Sequence, residues 1–195
     1  MKTPLVLDGA MGTELNNRGL KSPLPLWSAE ANLTHPDIVE KIHQDYILAG
    51  ADIITTNTFR TTSWSYKKKE KSIKNAENCA RISLYKAVEC AHKAKKNSKI
   101  KIAGSITSID DCYTPRKFPG YRIANEVYSQ TIEWIVDSGV DLILFETMGN
   151  IEEIKCALSI TNQYTIPVWL SVILRKNNVL LDGTDMPVLT NELKK

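Results

Sequence analysis

The chain contains no Cys-x-x-Cys pair, no apolar run long enough to cross a membrane and no glycine-rich phosphate loop. Each absence removes a class of function. Without close cysteine pairs, a zinc ribbon or a thiol–disulfide motif is excluded. The four cysteines are Cys79, Cys90, Cys112 and Cys156. Cys79 and Cys90 fall on one face of an expected helix, about 16 Å apart along its axis, too far to grip one metal ion. Buried free thiols suit them better, and free thiols fit a reducing cytoplasm. A bilayer span needs roughly 20 apolar residues, and no run approaches that length. No charged region followed by an apolar stretch and a cleavage site opens the chain, so no signal peptide is expected. The net charge of +3 is too small to argue for nucleic acid. The lysines cluster in YKKKEKSIK (66–74) and AHKAKKNSKIK (91–101). No aromatic residues are placed among them to stack bases, and solvated helix flanks account for both runs.

What remains is ordinary globular composition, 43% hydrophobic and 24% charged over 195 residues, which points to one domain with a real core. The chain alternates apolar strands and amphipathic helices. LVL (5–7) reads as a first, buried strand, followed by a broken, Pro-containing loop rather than an immediate helix. THPDIVEKIHQDYILAG (34–50) reads as a helix capped by Thr34, with Asp37 in the capping-box position and Gly50 as the stop. ADIITTNTF (51–59) is a second strand. A long helix over 71–96 leads to a third strand, 99–107. A helix over 124–139 leads to a fourth, 140–148. Asn150 caps the next helix, with Glu153 at its third position, and 166–174 is the fifth strand.

AGADIITTN and SGVDLILFE repeat one device: glycine stop, small residue, Asp, apolar strand, polar end. Repeated β/α units with short connections imply a parallel sheet. A doubly wound sheet normally carries a Gly-rich turn after its first strand. DGAMGT (8–13) is neither that fingerprint nor a P-loop. The better fit is a (β/α)8 barrel, whose site is built at the C-terminal strand ends. Those ends are polar throughout: Asp8 and Gly9; Thr56, Asn57 and Thr58, then Phe59; Ser105 and Thr107; Glu146 and Thr147; and Ser171 on the fifth strand. Strands must exit to water, which explains some of these. Asp8 and Glu146 directly follow apolar runs, where an unpaired carboxylate is costly. Each needs a cation or hydrogen-bond donors, and the ammonium of an amino acid would serve. A lyase or aldolase barrel would want a strand-end lysine, and none is present.

LVLDGAMGTEL, ANLTHPDIVEKIHQDYILAGADIITTNTF, AGSIT, DLILFETM and PVWLSV…LLDGT, in that order, resemble the homocysteine S-methyltransferase family. That family shares its homocysteine-binding domain with betaine–homocysteine methyltransferase and cobalamin-dependent methionine synthase. DDCYTP (110–115) is similar to a variant found in part of it. The resemblance implies a barrel that binds homocysteine and Zn²⁺, the zinc held by three cysteine thiolates and the substrate thiol in the fourth position. A metal-bound thiol is deprotonated and therefore nucleophilic. It would take a methyl group from a sulfonium, an ammonium or cobalt, and the sequence does not choose the donor or decide between thiol and selenol. Carried over, Asp8 and Gly9 line the homocysteine pocket, Asn57, Thr58 and Phe59 lie beside it, and Glu146 reads the α-ammonium. Ser171 is a further candidate, though an ordinary strand-end hydroxyl accounts for it too. The family's zinc cysteines belong to its last strands, and none of the four cysteines here matches them. The chain therefore reads as an incomplete barrel of about five of eight β/α units, with the zinc ligands missing. On that reading it is inactive alone, or else a non-catalytic binding module, and its open barrel edges favour self-association.

Overall fold

The computed structural model describes residues 4–194. The elements run α1 (Met11–Asn17), a 3-10 turn (Trp27–Glu30), α2 (Ala31–Thr34), α3 (Pro36–Leu48), β1 (Ile53–Thr55), α4 (Ser63–Lys67) and α5 (Ile73–Lys95). They continue with β2 (Lys101–Thr107), a 3-10 turn (Pro115–Lys117), α6 (Tyr121–Asp137), β3 (Leu142–Met148), α7 (Ile151–Thr161), β4 (Val168–Val172) and α8 (Met186–Glu192). The four strands form one parallel sheet in the order β1-β2-β3-β4. Strands that neighbour in chain order, with no reversal, build barrels, whereas a doubly wound sheet reverses direction part-way. The sheet is not closed among the described residues, in keeping with an incomplete barrel.

The two sheet faces separate cleanly, as the period-two alternation of strands requires. Ile54, Ile102, Ile106, Ile143 and Phe145 join the large core formed with the helices. Ile53, Ala103, Leu142 and Leu144 form a small cluster of their own on the opposite, inner face. Leu7 pairs with Ile53 and Trp169 with Leu144, so both belong to that inner face. Both are more than a third exposed, at 42% and 40%.

The repeated aspartates have one job. Asp52 Oδ2 accepts from the Val6 N–H at 2.8 Å, and Asp141 Oδ2 accepts from the Ile102 N–H at 2.7 Å. Each carboxylate sits at the start of its strand and takes an N–H of the strand before it. Asp141 also holds Lys95 at 2.9 Å.

Four expectations need correction. The first strand is not buried: Leu5, Val6 and Leu7 are exposed, and the segment meets β1 only through one bridge, Leu7 to Ile53, and flanking backbone bonds. It lies at the sheet edge, where no described residue pairs with its second side. A helix, α1, does follow it at once, and Leu15 packs into a cluster with Val39 and Ile42. Thr34 does not cap α3. The cap residue is His35, without a side-chain bond, and Pro36 opens the helix. A proline lacks an N–H and is at home in the first turn, and it pushes the residue before it out of helical geometry. The Thr34 hydroxyl instead donates to the Glu30 carbonyl at 3.0 Å, and no capping box with Asp37 forms. The strand over 51–59 shrinks to Ile53–Thr55, because the polar residues after it turn into the site. Other features stand as expected: Gly50 takes a φ of +100° beyond α3, and Asn150 Oδ1 accepts from the Glu153 N–H at 3.0 Å.

After β4 the chain forms a small hairpin, with Asn177 and Asn178 both at positive φ. The LLDGT segment then returns to the β3–α7 corner. Asp182 Oδ2 accepts from the Ile151 N–H at 2.6 Å, capping the first turn of α7.

His43 is fully buried in α3, and neither ring nitrogen has a partner. Burial pushes it down to about 4. The unfolded chain therefore binds a proton that the fold refuses between pH 6.5 and about 4. Stability is retained above that window and falls as pH drops through it, by roughly 3 kcal/mol for this residue at full effect. In denaturant titrations at pH 7 and pH 5, His43→Leu should lose less stability on acidification than the native chain; equal losses would contradict the burial. The exposed inner face and the two sheet edges should drive association, so sedimentation at micromolar concentration should show oligomers, and a stable monomer would count against it.

Candidate active site

The strand ends open onto a cavity of about 620 Å³. Its wall comes from three places: Gly9 to Gly12 at the start of α1, Trp27 and Ser28 in the first 3-10 turn, and the loops after β1 and β2. Glu146 of β3 also borders it.

Asp8 and Glu146 are held by neighbouring strand-end residues. The Thr55 N–H and hydroxyl donate to the two Asp8 oxygens at 2.8 and 2.5 Å. Ser105 donates its hydroxyl to Glu146. Burial pushes Asp8 up to about 6, against the two Thr55 bonds that favour its ionised form, and the Glu146 charge adds to the rise. Burial likewise pushes Glu146 above the ordinary 4.5, opposed by Ser105. Two carboxylates thus sense one another beside the cavity, and among the described residues neither is in an ion pair with a cation.

The backbone is built to present Glu146. The pairing of β3 with β4 shifts register between Phe145 and Met148, and Thr147 takes a φ of +58°. This bulge inserts one residue. Glu146 can face the cavity while Met148 returns to the helix-side core. The Thr107 and Thr147 hydroxyls bond at 2.7 Å and steady the turn.

Gly9 has a steric reason. A Cβ there would lie 2.7 Å from the Tyr46 hydroxyl oxygen, so only glycine lets the chain pass this side chain. Asn57 is a structural knot as well as a wall. Its amide donates to the Ser28 carbonyl at 2.9 Å and to Asn32 Oδ1 at 2.8 Å, and Asn32 returns a bond to the Asn57 carbonyl. Thr58 is fully engaged elsewhere, donating to the Ser105 carbonyl at 2.6 Å, and it does not border the cavity. Phe59 does border it. Ser171 lies exposed on β4, outside the cavity. The structure therefore brings Gly9, Asn57, Phe59 and Glu146 together on the cavity, holds Asp8 just behind its wall through Thr55, and sets Thr58 and Ser171 apart.

Several wall residues escaped sequence reasoning. Trp27 adopts a φ of +52° and presses so close to Gly12 that a Cβ there would meet its indole nitrogen at 2.4 Å. Arg60 follows Phe59, and Asp110 to Tyr113 come from the DDCYTP loop. That loop is pinned from behind. Glu153 accepts from the Ile109 N–H at 2.8 Å and from the Tyr128 hydroxyl at 2.9 Å. The arginine's position directly after a strand-end motif was the available signal.

All four cysteines are free thiols. Only Cys112 reaches the cavity, and burial pushes its thiol up. Among the described residues no group of three or more His, Cys, Asp or Glu could hold a metal ion. These residues do not fit a zinc site.

A sequence model of homocysteine S-methyltransferases matches residues 5–195. The homocysteine S-methyltransferase of Escherichia coli is 29% identical over 93% of this chain and 62% of its own length. A selenocysteine methyltransferase of Astragalus bisulcatus is 28% identical over 91% of this chain and 61% of its own. The homocysteine methyltransferase MmuM from Escherichia coli, in its metallated form, superposes with a TM-score of 0.87 at 26% identity, covering 99% of this chain and 71% of that one. The chain thus spans about three fifths of the length of these two curated relatives.

The raised Asp8 group gives a direct test. Carboxyl-carbon NMR of the ligand-free chain should show Asp8 titrating near 6 rather than at the usual 3.8. A midpoint near the usual value would mean that the carboxylate is solvated and not set behind the cavity wall.

Proposed function

Because the chain belongs to the homocysteine S-methyltransferase family, we propose that its cavity is the amino-acid-binding side of a methyl-transfer site, with homocysteine as the acceptor. The observation that carries this reading is the pair of half-buried carboxylates, Asp8 and Glu146, without a cationic partner among the described residues. A desolvated carboxylate pair is unfavourable until a cation arrives. An α-ammonium brings three N–H donors and a positive charge of the right size. Glu146, oriented by Ser105, takes the ammonium directly, and Asp8, held by Thr55, supplies the second charge. Gly9 makes room for Tyr46 and so sets the course of the cavity wall behind the ligand. Phe59 and Trp27 give the thiol-bearing chain an apolar wall.

In the reaction the acceptor sulfur forms a bond to the methyl carbon, the donor's bond to that carbon breaks, and the thiol proton is lost. The residues here bind and orient the acceptor for that step. Thiol activation needs a group that they do not provide, so the chain by itself is a binding platform, which is also how a purely non-catalytic module would behave. A selenol amino acid presents the same ammonium, and the similarity to a selenocysteine methyltransferase keeps that acceptor within the proposal. Four free thiols suit a reducing compartment such as the cytoplasm, and no described helix is long and apolar enough to cross a membrane.

Calorimetric titration with L-homocysteine tests the assignment. Glu146→Gln should weaken binding by about 1.5–3 kcal/mol, the worth of a hydrogen bond to a charged group. An unchanged affinity would remove Glu146 from the pocket. Binding should also strengthen as pH rises through about 6, where Asp8 sheds its proton, and a flat profile would exclude Asp8 from ammonium recognition.

A further inference from the structure

Of the charged groups on this cavity that the ammonium reading leaves unused, Lys68 pairs with Asp110 and Lys117 with Asp111, while Arg60 is in no ion pair among the described residues. It borders the cavity directly after Phe59. Its Nη1 donates to the Asp110 carbonyl oxygen at 2.5 Å, and its guanidinium carbon lies 5.8 Å from the centre of the Phe59 ring. Its Nε is buried without any hydrogen-bond partner.

The nearby acids do not neutralise it. The Asp110 carboxylate is taken by Lys68 at 2.6 Å and by the Trp64 indole at 2.9 Å. Asp111 is taken by Thr114 at 2.9 Å, by the Tyr113 N–H at 3.1 Å and by Lys117 at 3.4 Å. Among the described residues no carboxylate pairs with Arg60. A guanidinium is always charged, and its fork of N–H donors matches a carboxylate. A half-buried one held by a carbonyl and a ring face still lacks a counter-ion, and withdrawing a lone charge from water is costly.

We propose that Arg60 binds the carboxylate of a cavity ligand, so that the cavity is bipolar and selects zwitterions. The carboxylates Asp8 and Glu146 meet the positive end and the guanidinium meets the negative end. An α-amino acid offers both charges on one carbon, and a methyl donor that is itself an amino acid offers them too. The proposal rests on reading the cavity as an amino-acid site, and it adds the group that rejects ligands with an ammonium alone. Arg60 also ties the loop after β1 to the loop after β2 through Asp110, so the test must separate recognition from support.

Calorimetry on the native chain and Arg60→Gln, with ligands paired by the presence of the carboxylate, makes that separation. The acceptor pair is L-homocysteine and homocysteamine, which keeps the thiol and ammonium. The donor pair is S-methyl-L-methionine and its decarboxylated analogue. In one of the two pairs, Arg60→Gln should weaken the carboxylate-bearing ligand by roughly 10- to 100-fold, the ratio that a charge-assisted bond is worth. The decarboxylated partner should hardly change. The pair that responds identifies whose carboxylate is bound. Equal losses within both pairs would make Arg60 a support for the loop only, and no loss in either would also overturn the proposal. A second measurement does not require homocysteine to bind. Labelling of Arg60 by phenylglyoxal, read by peptide mass spectrometry, should be slowed by butyrate and not by butylamine, in the native chain and in Glu146→Gln alike. Absence of protection by butyrate overturns the carboxylate assignment. Protection that persists while Glu146→Gln leaves homocysteine affinity unchanged would instead remove the ammonium reading and leave Arg60 in place.

Discussion

Every β/α repeat has to return its chain to the same end of the sheet before the next strand can begin, and the rest of this molecule depends on that constraint. It puts the crossover helices α3, α5, α6 and α7 on one face and the strand ends on one rim. The helix face then becomes the main core, where Ile54, Ile102, Ile143 and Phe145 meet the helices. The rim collects whatever polar residues end the strands. The short stop-and-start between helix and strand recurs at Asp52 and Asp141, and each fastens a new strand to its predecessor by a carboxylate-to-N–H bond. One local device, used twice, keeps the strands in step.

Polar residues crowd the rim, but most of them are occupied with one another. Thr56, Thr58 and Ser105 extend the β1–β2 ladder with side-chain bonds. Asn57 and Asn32 lock the turn over the helices. Subtracting these leaves three charged groups whose surroundings within the chain do not balance them: Asp8, Glu146 and Arg60. Charge imbalance around a cavity, more than polarity, distinguishes groups kept for a ligand from groups kept for the fold.

The parts of this arrangement that were legible in the sequence are those governed by local chemistry. Apolar strands flanked by glycine stops, Asn150 as a cap and the acidic ends at Asp8 and Glu146 all announce themselves within a few residues. Sequence and structure part where a neighbour overrides a residue's own preference. Leu5 to Leu7 are apolar enough for a buried strand, yet at the sheet edge they stay exposed among the described residues. Thr34 has the right type for a cap, but the proline two residues on moved the helix start past it. Thr58 and Ser171 looked equivalent to Asn57 as strand-end polar groups. Thr58 is instead spent on the Ser105 carbonyl, and Ser171 stands away from the cavity. Arg60 was invisible for the complementary reason: its meaning lies in which acids around it are already taken, and a linear sequence does not show that.

The bulge at Thr147 has a consequence for how this segment can change over evolutionary time. Strand parity alternates, so one extra residue between Phe145 and Met148 is what allows Glu146 to face the cavity and Met148 to face the helices. Loops on the rim can lengthen or shorten with little cost to the strands below. Here, were Thr147 drawn from its φ of +58° back into extended backbone, Glu146 and Met148 would share a face, sending an acid into the core or a thioether into the cavity. Substitutions at Thr147 should therefore favour residues that tolerate left-handed backbone, glycine or asparagine, even where the loops on either side vary freely in length.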